Sequence, residues 1–108
     1  METLDRINSC LKANPPIPFR KAEIFCMRTE MRRINPVFYE KLVIEHQLPL
    51  SKYDICILYR LRVKPAHIAI LLGMGRSTIT TERHRIYEHI FSKKDEGEEF
   101  MSFINSIH

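Results

Sequence analysis

The sequence predicts an all-α fold, a small bundle of short helices, on three observations. Apolar residues recur three and four positions apart along most of the chain, the repeat of a helix face. Strand-like alternation bounded by hairpin turns is absent. Glycine occurs only three times, and the prolines fall at segment edges rather than inside segments. At 108 residues the chain has room for a single modest core.

A first helix is expected over residues 3–13, with Thr3 as N-cap and Leu4, Ile7, Cys10 and Leu11 on one face. Asn14-Pro15-Pro16-Ile17-Pro18 breaks it, because proline lacks an N–H and pushes its predecessor towards extended backbone. A second helix, residues 19–33, sets Ile24, Met27, Met31 and Ile34 at helical spacing, with Phe25 and Cys26 widening the stripe. A third starts at Asn35-Pro36, where Asn caps and Pro suits the first helical position. It continues to about residue 46 and turns Val37, Phe38, Leu42 and Val43 inward.

Ser51-Lys52-Tyr53-Asp54 is close to a capping box and opens a fourth helix, with Ile55, Leu58 and Leu61 inward. Pro65 starts a fifth, through Leu72, whose core candidates are Ile68, Ala69, Leu71 and Leu72. Gly73-Met74-Gly75 turns the chain sharply. A sixth helix spans about 77–91, with Ile79, Ile86 and Ile90 in line. Lys93-Lys94-Asp95-Glu96-Gly97 reads as a charged loop. A last helix, about 98–107, turns Phe100, Phe103, Ile104 and Ile107 inward. Residues 1–50 thus form amino-terminal helices for packing or dimerisation, and residues 51–108 a second unit.

Composition excludes several classes. At 44% hydrophobic and 28% charged the chain reads as an ordinary globular protein. No apolar run approaches the roughly 20 residues of a membrane span, and METLDRINSC lacks a signal peptide's apolar stretch, so a cytoplasmic address is expected. Cys10, Cys26 and Cys56 are widely spaced among apolar residues and read as small buried hydrophobes. Net charge is +4, but residues 57–94 carry eight basic residues against Glu82 and Glu88. This window is +6 and the remainder −2, so the positive charge is concentrated where phosphate attraction would need it.

The informative stretch is KPAHIAILLGMGRSTI, residues 64–79. Two short helices cross steeply only over a small residue, which Ala69 supplies. The turn four residues later needs a permissive backbone, which Gly73 supplies, and Ile79 would plug the angle between the helices. Small residue, glycine and aliphatic at these offsets describe a helix-turn-helix over about 65–91. An uncharged helix precedes the turn and a cationic, hydroxyl-rich helix follows it.

The stretch IAILLGMGRSTITTERHRIYEHIF resembles the LuxR-like, tetra-helical helix-turn-helix at the C-terminus of transcriptional regulators from Bacteroidetes. The similarity extends upstream through INPVFY and LPLSKYD and downstream to FMSFINSI, so it covers about residues 34–107. The resemblance implies double-stranded DNA as partner. It also implies a domain that follows sensor, repeat or coiled-coil segments, the output module of a longer regulator.

On this reading the helix near 77–91 enters the major groove, which is wide enough to admit it. Arg76 and Ser77 are placed for phosphate at its amino-terminal end, with Thr78 beside them. Thr80, Thr81 and His84 could meet base edges, while Arg83 at the flank and Arg85 on the far edge suit phosphate. Lys64 is a further phosphate candidate, and Arg60 could equally bridge to another helix. Glu82 falls near the inward side, where it either pairs with a cation such as Arg85 or Arg60 or repels phosphate. The plainer alternative is a charge-rich helix that is merely a solvated face.

Catalytic and metal readings are weaker. His84 and His89 are five apart, so they do not share a helical face, and no Cys or carboxylate completes a ligand set. Gly73-Met74-Gly75 lies between helices rather than after a strand, so it is no phosphate loop. No nucleophile elbow occurs, and Cys56 lies within an apolar helical pattern. The chain therefore reads as a non-enzyme without cofactor, metal or evident small-molecule ligand. A homodimer is the expected working state, because one helix in one groove buries too little surface for selective binding. The alternative is a helical protein–protein interaction adaptor that keeps the fold without binding DNA. An RNA-binding reading is weaker, because Tyr39, Tyr53, Tyr59 and Tyr87 fit helix flanks rather than stacking platforms.

Overall fold

The computed structural model of the chain describes residues 1–94 and 97–108. Asp95 and Glu96 of the expected charged loop lie outside them. Among the described residues seven α-helices follow in order: α1 (Glu2–Lys12), α2 (Lys21–Ile34), α3 (Pro36–Tyr39), α4 (Leu50–Arg60), α5 (Pro65–Leu72), α6 (Arg76–Phe91) and α7 (Glu99–Ser106). The described residues contain no strand.

The fold is organised around α4. Every residue from 53 to 59 is buried, because α2, the α3 region, α5, α6 and α7 all contact this helix. A helix apolar on all sides belongs at the centre of a core. Helical periodicity alone turns only Ile55, Leu58 and Leu61 inward. Leu61 is half-buried, while Tyr53, Cys56, Ile57 and Tyr59 join the core. Three of the four tyrosines therefore do not sit at flanks: Tyr53, Tyr59 and Tyr87 are buried, Tyr39 is half-buried, and Tyr59 meets Phe100 edge-on at 5.2 Å. One hydrophobic cluster runs from Ile7 to Ile107, so residues 1–50 and 51–108 share a single core.

Local signals explain several elements. The Asn35 side chain accepts from the Phe38 N–H and Pro36 follows it, the arrangement expected of that start. The expected regular helix over 36–46 instead changes at Glu40–Glu45 to π winding, in which the His46 N–H reaches the Lys41 carbonyl at 3.1 Å. The four-residue spacing of Phe38 and Leu42, both fully buried, fits either winding and could not distinguish them.

Three amino-terminal expectations are corrected. Thr3 is not an N-cap. It lies inside α1 and is 2% exposed, while the Glu30 carboxylate of α2 accepts the Glu2 and Thr3 N–H groups at 3.2 and 2.9 Å. These bonds hold the Glu30 carboxyl below its ordinary range. Leu4, Phe25, Ile34 and Val37 are exposed rather than inward, since α1 and α2 bury the stripes through Ile7–Cys10 and Met27–Met31. No capping box opens α4. Pro49 precedes its first turn, and Asp54 is 4% exposed and chelated by Arg28 of α2, with both N–O distances 2.7 Å.

The α5–turn–α6 unit matches its expected bounds within one residue. Gly73 has φ +66°, its N–H bonds the Ile70 carbonyl at 3.2 Å, and the Met74 N–H bonds the Ala69 carbonyl at 2.9 Å. This is a Schellman ending, which favours a residue free of left-handed strain. Gly75, at φ −72°, simply caps α6, and a Cβ there would meet Thr78 Oγ1 at an ordinary 3.6 Å. Gly73→Ala should therefore cost about 1–2 kcal/mol from backbone strain alone, since nothing lies near its Cβ. Gly75→Ala should be nearly neutral. Thermal unfolding of the two variants would separate them by several degrees.

Candidate nucleic-acid interface

The interface is built on α6, whose position is fixed from its inward side. Ile79 and Ile86 are fully buried and Tyr87 is 4% exposed, while Ile90 is half-buried. The Tyr87 hydroxyl donates to Glu99 of α7 at 2.6 Å, which ties the second half of α6 to the last helix. Among the helix pairs, α5 and α6 share the most extensive contact, with Ala69 buried in α5. With 3.6 residues per turn, the row opposite Ile79 and Ile86 contains Ser77, Thr81, His84 and Glu88.

Arg76, Ser77, Thr78, Thr80 and Thr81 are all exposed, and the first turn of α6 contains no acidic residue. Arg76 forms no ion pair among the described residues. The Thr80 hydroxyl lies 3.4 Å from the Arg76 carbonyl. Unpaired N–H groups, a guanidinium and four hydroxyls at a helix start suit an anion. Lys64 is exposed at the N-cap of α5. From Arg76 to Arg85 the helix rises about 13 Å, enough to follow a groove wall past several phosphates.

The remaining candidates are more engaged. Arg83 is half-buried, donates to the Gly97 carbonyl at 2.9 Å and lies over the Phe100 ring at 5.9 Å. It follows Ile79 by four residues, which puts it on the inward edge and binds it to the segment before α7. His84 is half-buried. Arg85 is 66% exposed and pairs with Glu82 at 3.1 Å. Arg60 takes the bridging role, donating to the Ile104 carbonyl of α7 at 2.6 Å.

Glu82 resolves to pairing. Its carboxylate receives Lys52 of α4 on one oxygen and Arg85 on the other. Helical spacing points to Arg85 but not to Lys52, a partner 30 residues away with no local signal. The Lys52 bond, aided by Arg85, holds the Glu82 carboxyl below its ordinary value of 4.5. Stability from this group is therefore present above about pH 4.5 and is lost as pH falls through the depressed folded value. Glu82→Gln should cost about 1–2 kcal/mol at neutral pH. The difference from the parent chain should vanish in acid, as read by denaturant unfolding at both pH values.

Among the described residues no group of His, Cys, Asp or Glu could hold a metal ion, and no helix is long and apolar enough to cross a membrane. Burial pushes the Cys56 thiol well up, away from thiolate character. Comparison with family models, with curated proteins and with solved structures returns no match for this chain.

Proposed function

We propose that the chain is a DNA-binding transcription regulator, or the output module of one, that sets α6 in the major groove of double-stranded DNA. The reading rests above all on the first turns of α6, where cationic and hydroxyl side chains are exposed around a fully buried Ile79. Thr80, Thr81 and His84 are the proposed base readers, while Arg76, Ser77, Lys64 and Arg85 take phosphate. Threonine and serine hydroxyls are permissive readers, so sequence discrimination should be modest. The LuxR-like resemblance belongs to the same proposal. So does a homodimer, since α6 alone buries too little surface for selective binding.

The adaptor reading keeps one observation in its favour. Exposed large apolar side chains fall mainly in the first 50 residues, including Phe25, Ile34, Val37, Ile44 and Leu50. Fluorescence anisotropy of a labelled random-sequence duplex separates the two. DNA binding predicts an affinity that falls linearly with salt on logarithmic axes. An adaptor predicts no binding even at low salt.

A further inference from the structure

We propose that the cleft between α2, α3 and the start of α4 binds a small molecule that joins an apolar body, an aryl ring or a short hydrocarbon chain, to one carboxylate. The cleft holds about 200 Å³, below the roughly 300–1,000 Å³ of sites for drug-sized ligands, so its occupant is small. Phe25 and Leu50, 68% and 44% exposed, form its apolar walls. Tyr39 and Tyr53 meet edge-on at 5.5 Å on another side.

Two polar groups in this cleft lack an ionic or hydrogen-bond partner among the described residues. Tyr53 is 1% exposed, and its hydroxyl finds no hydrogen-bond partner among the described residues. A buried hydroxyl left this way is costly, so it marks a place where a partner would be gained. Arg32 lies over the Tyr39 ring at 4.1 Å and forms no ion pair among the described residues. Its neighbour Arg28, by contrast, is committed to Asp54 through two bonds. Arg32, Tyr39 and Tyr53 all line this one cleft.

A carboxylate satisfies both groups. One oxygen accepts from the Arg32 guanidinium and the other from the Tyr53 O–H. Burial raises the phenol to about 12, which keeps it a donor throughout the neutral range. The apolar body then covers Phe25 and Leu50. None of these residues lies on α5 or α6, so the inference stands apart from the DNA reading.

The test is an amide NMR titration of the whole chain with phenylacetate and with its neutral isostere phenylacetamide. Phenylacetate should saturably shift amides near Thr29, Tyr39 and Tyr53, and bind roughly tenfold or more tightly than the amide. Arg32→Gln, at an exposed position, should make the two ligands equal, and Tyr53→Phe should weaken phenylacetate several-fold. Spectra of each variant alone report whether it is folded. No saturable shift at millimolar ligand, or equal binding of both ligands to the parent chain, would overturn the proposal. So would a carboxylate preference that survives Arg32→Gln. Shifts at these amides on raising protein concentration alone would assign the cleft to a second copy, and would overturn it equally.

Discussion

Arg28→Met should lower the stability of the fold by about 3 kcal/mol, the low end for breaking a buried ion pair. The magnitude follows from an imbalance between the partners. Asp54 is nearly buried, at 5% side-chain exposure, whereas Arg28 is 31% exposed. Removing the arginine leaves a carboxylate inside the core with nothing to offset its lost hydration. Even with Arg28 present, burial outweighs the guanidinium and holds the Asp54 carboxyl above its ordinary 3.8. A raised carboxyl keeps its proton to higher pH in the folded chain. The penalty is therefore absent below about 3.8 and appears as pH rises through the folded value. Arg28→Met should consequently recover much of its lost stability in acid. Arg28→Met/Asp54→Leu should recover it at neutral pH, since an apolar pair needs no hydration. Equal destabilisation of Arg28→Met at both pH values would mean that Asp54 is not the source.

This pair shows where legibility in sequence stops. The ends of α5 were legible because both signals are local, Pro65 at the start and Gly73 just past the end. The stripe through Ile79 and Ile86 was legible because the helix repeat sets it. Interactions between distant residues left no such mark. Asp54 looked like a cap because a Ser precedes it by three, yet its partner lies 26 residues upstream. Thr3 resembles a cap because it is a threonine just ahead of an apolar repeat, while Glu30 performs that task from the next helix. Periodicity identifies apolar faces but not which neighbour covers them, so it turns Phe25 and Val37 inward although both are exposed. The candidate interface divides in the same way. Arg76, Ser77, Thr80 and Thr81 were placed by helix geometry alone, whereas the Gly97 bond of Arg83 and the Lys52 bond of Glu82 required the tertiary fold. The cleft beside Tyr53 left no sequence signal, because three separate segments build it.

Arg76→Ala/Lys64→Ala carries the second large expected effect. Each replacement should remove one phosphate contact, so the slope of log affinity against log salt should fall by about two. At low salt the affinity should drop by one to two orders of magnitude, on the order of 1.4 kcal/mol for each factor of ten. Stability should be unchanged, because both side chains are exposed and neither forms an ion pair among the described residues. Arg83→Ala offers a contrast. It should reduce stability through the lost Gly97 bond, with a smaller effect on the salt slope.

The most direct measurement is an amide NMR titration of the chain with a random-sequence duplex at low salt, which reads binding and location together. DNA recognition by α6 predicts the largest shifts at residues 76–85 and at Lys64, with α1 and α2 little changed. A titration that leaves α6 unmoved, or that perturbs chiefly the exposed apolar positions of α2 and α3, would contradict it.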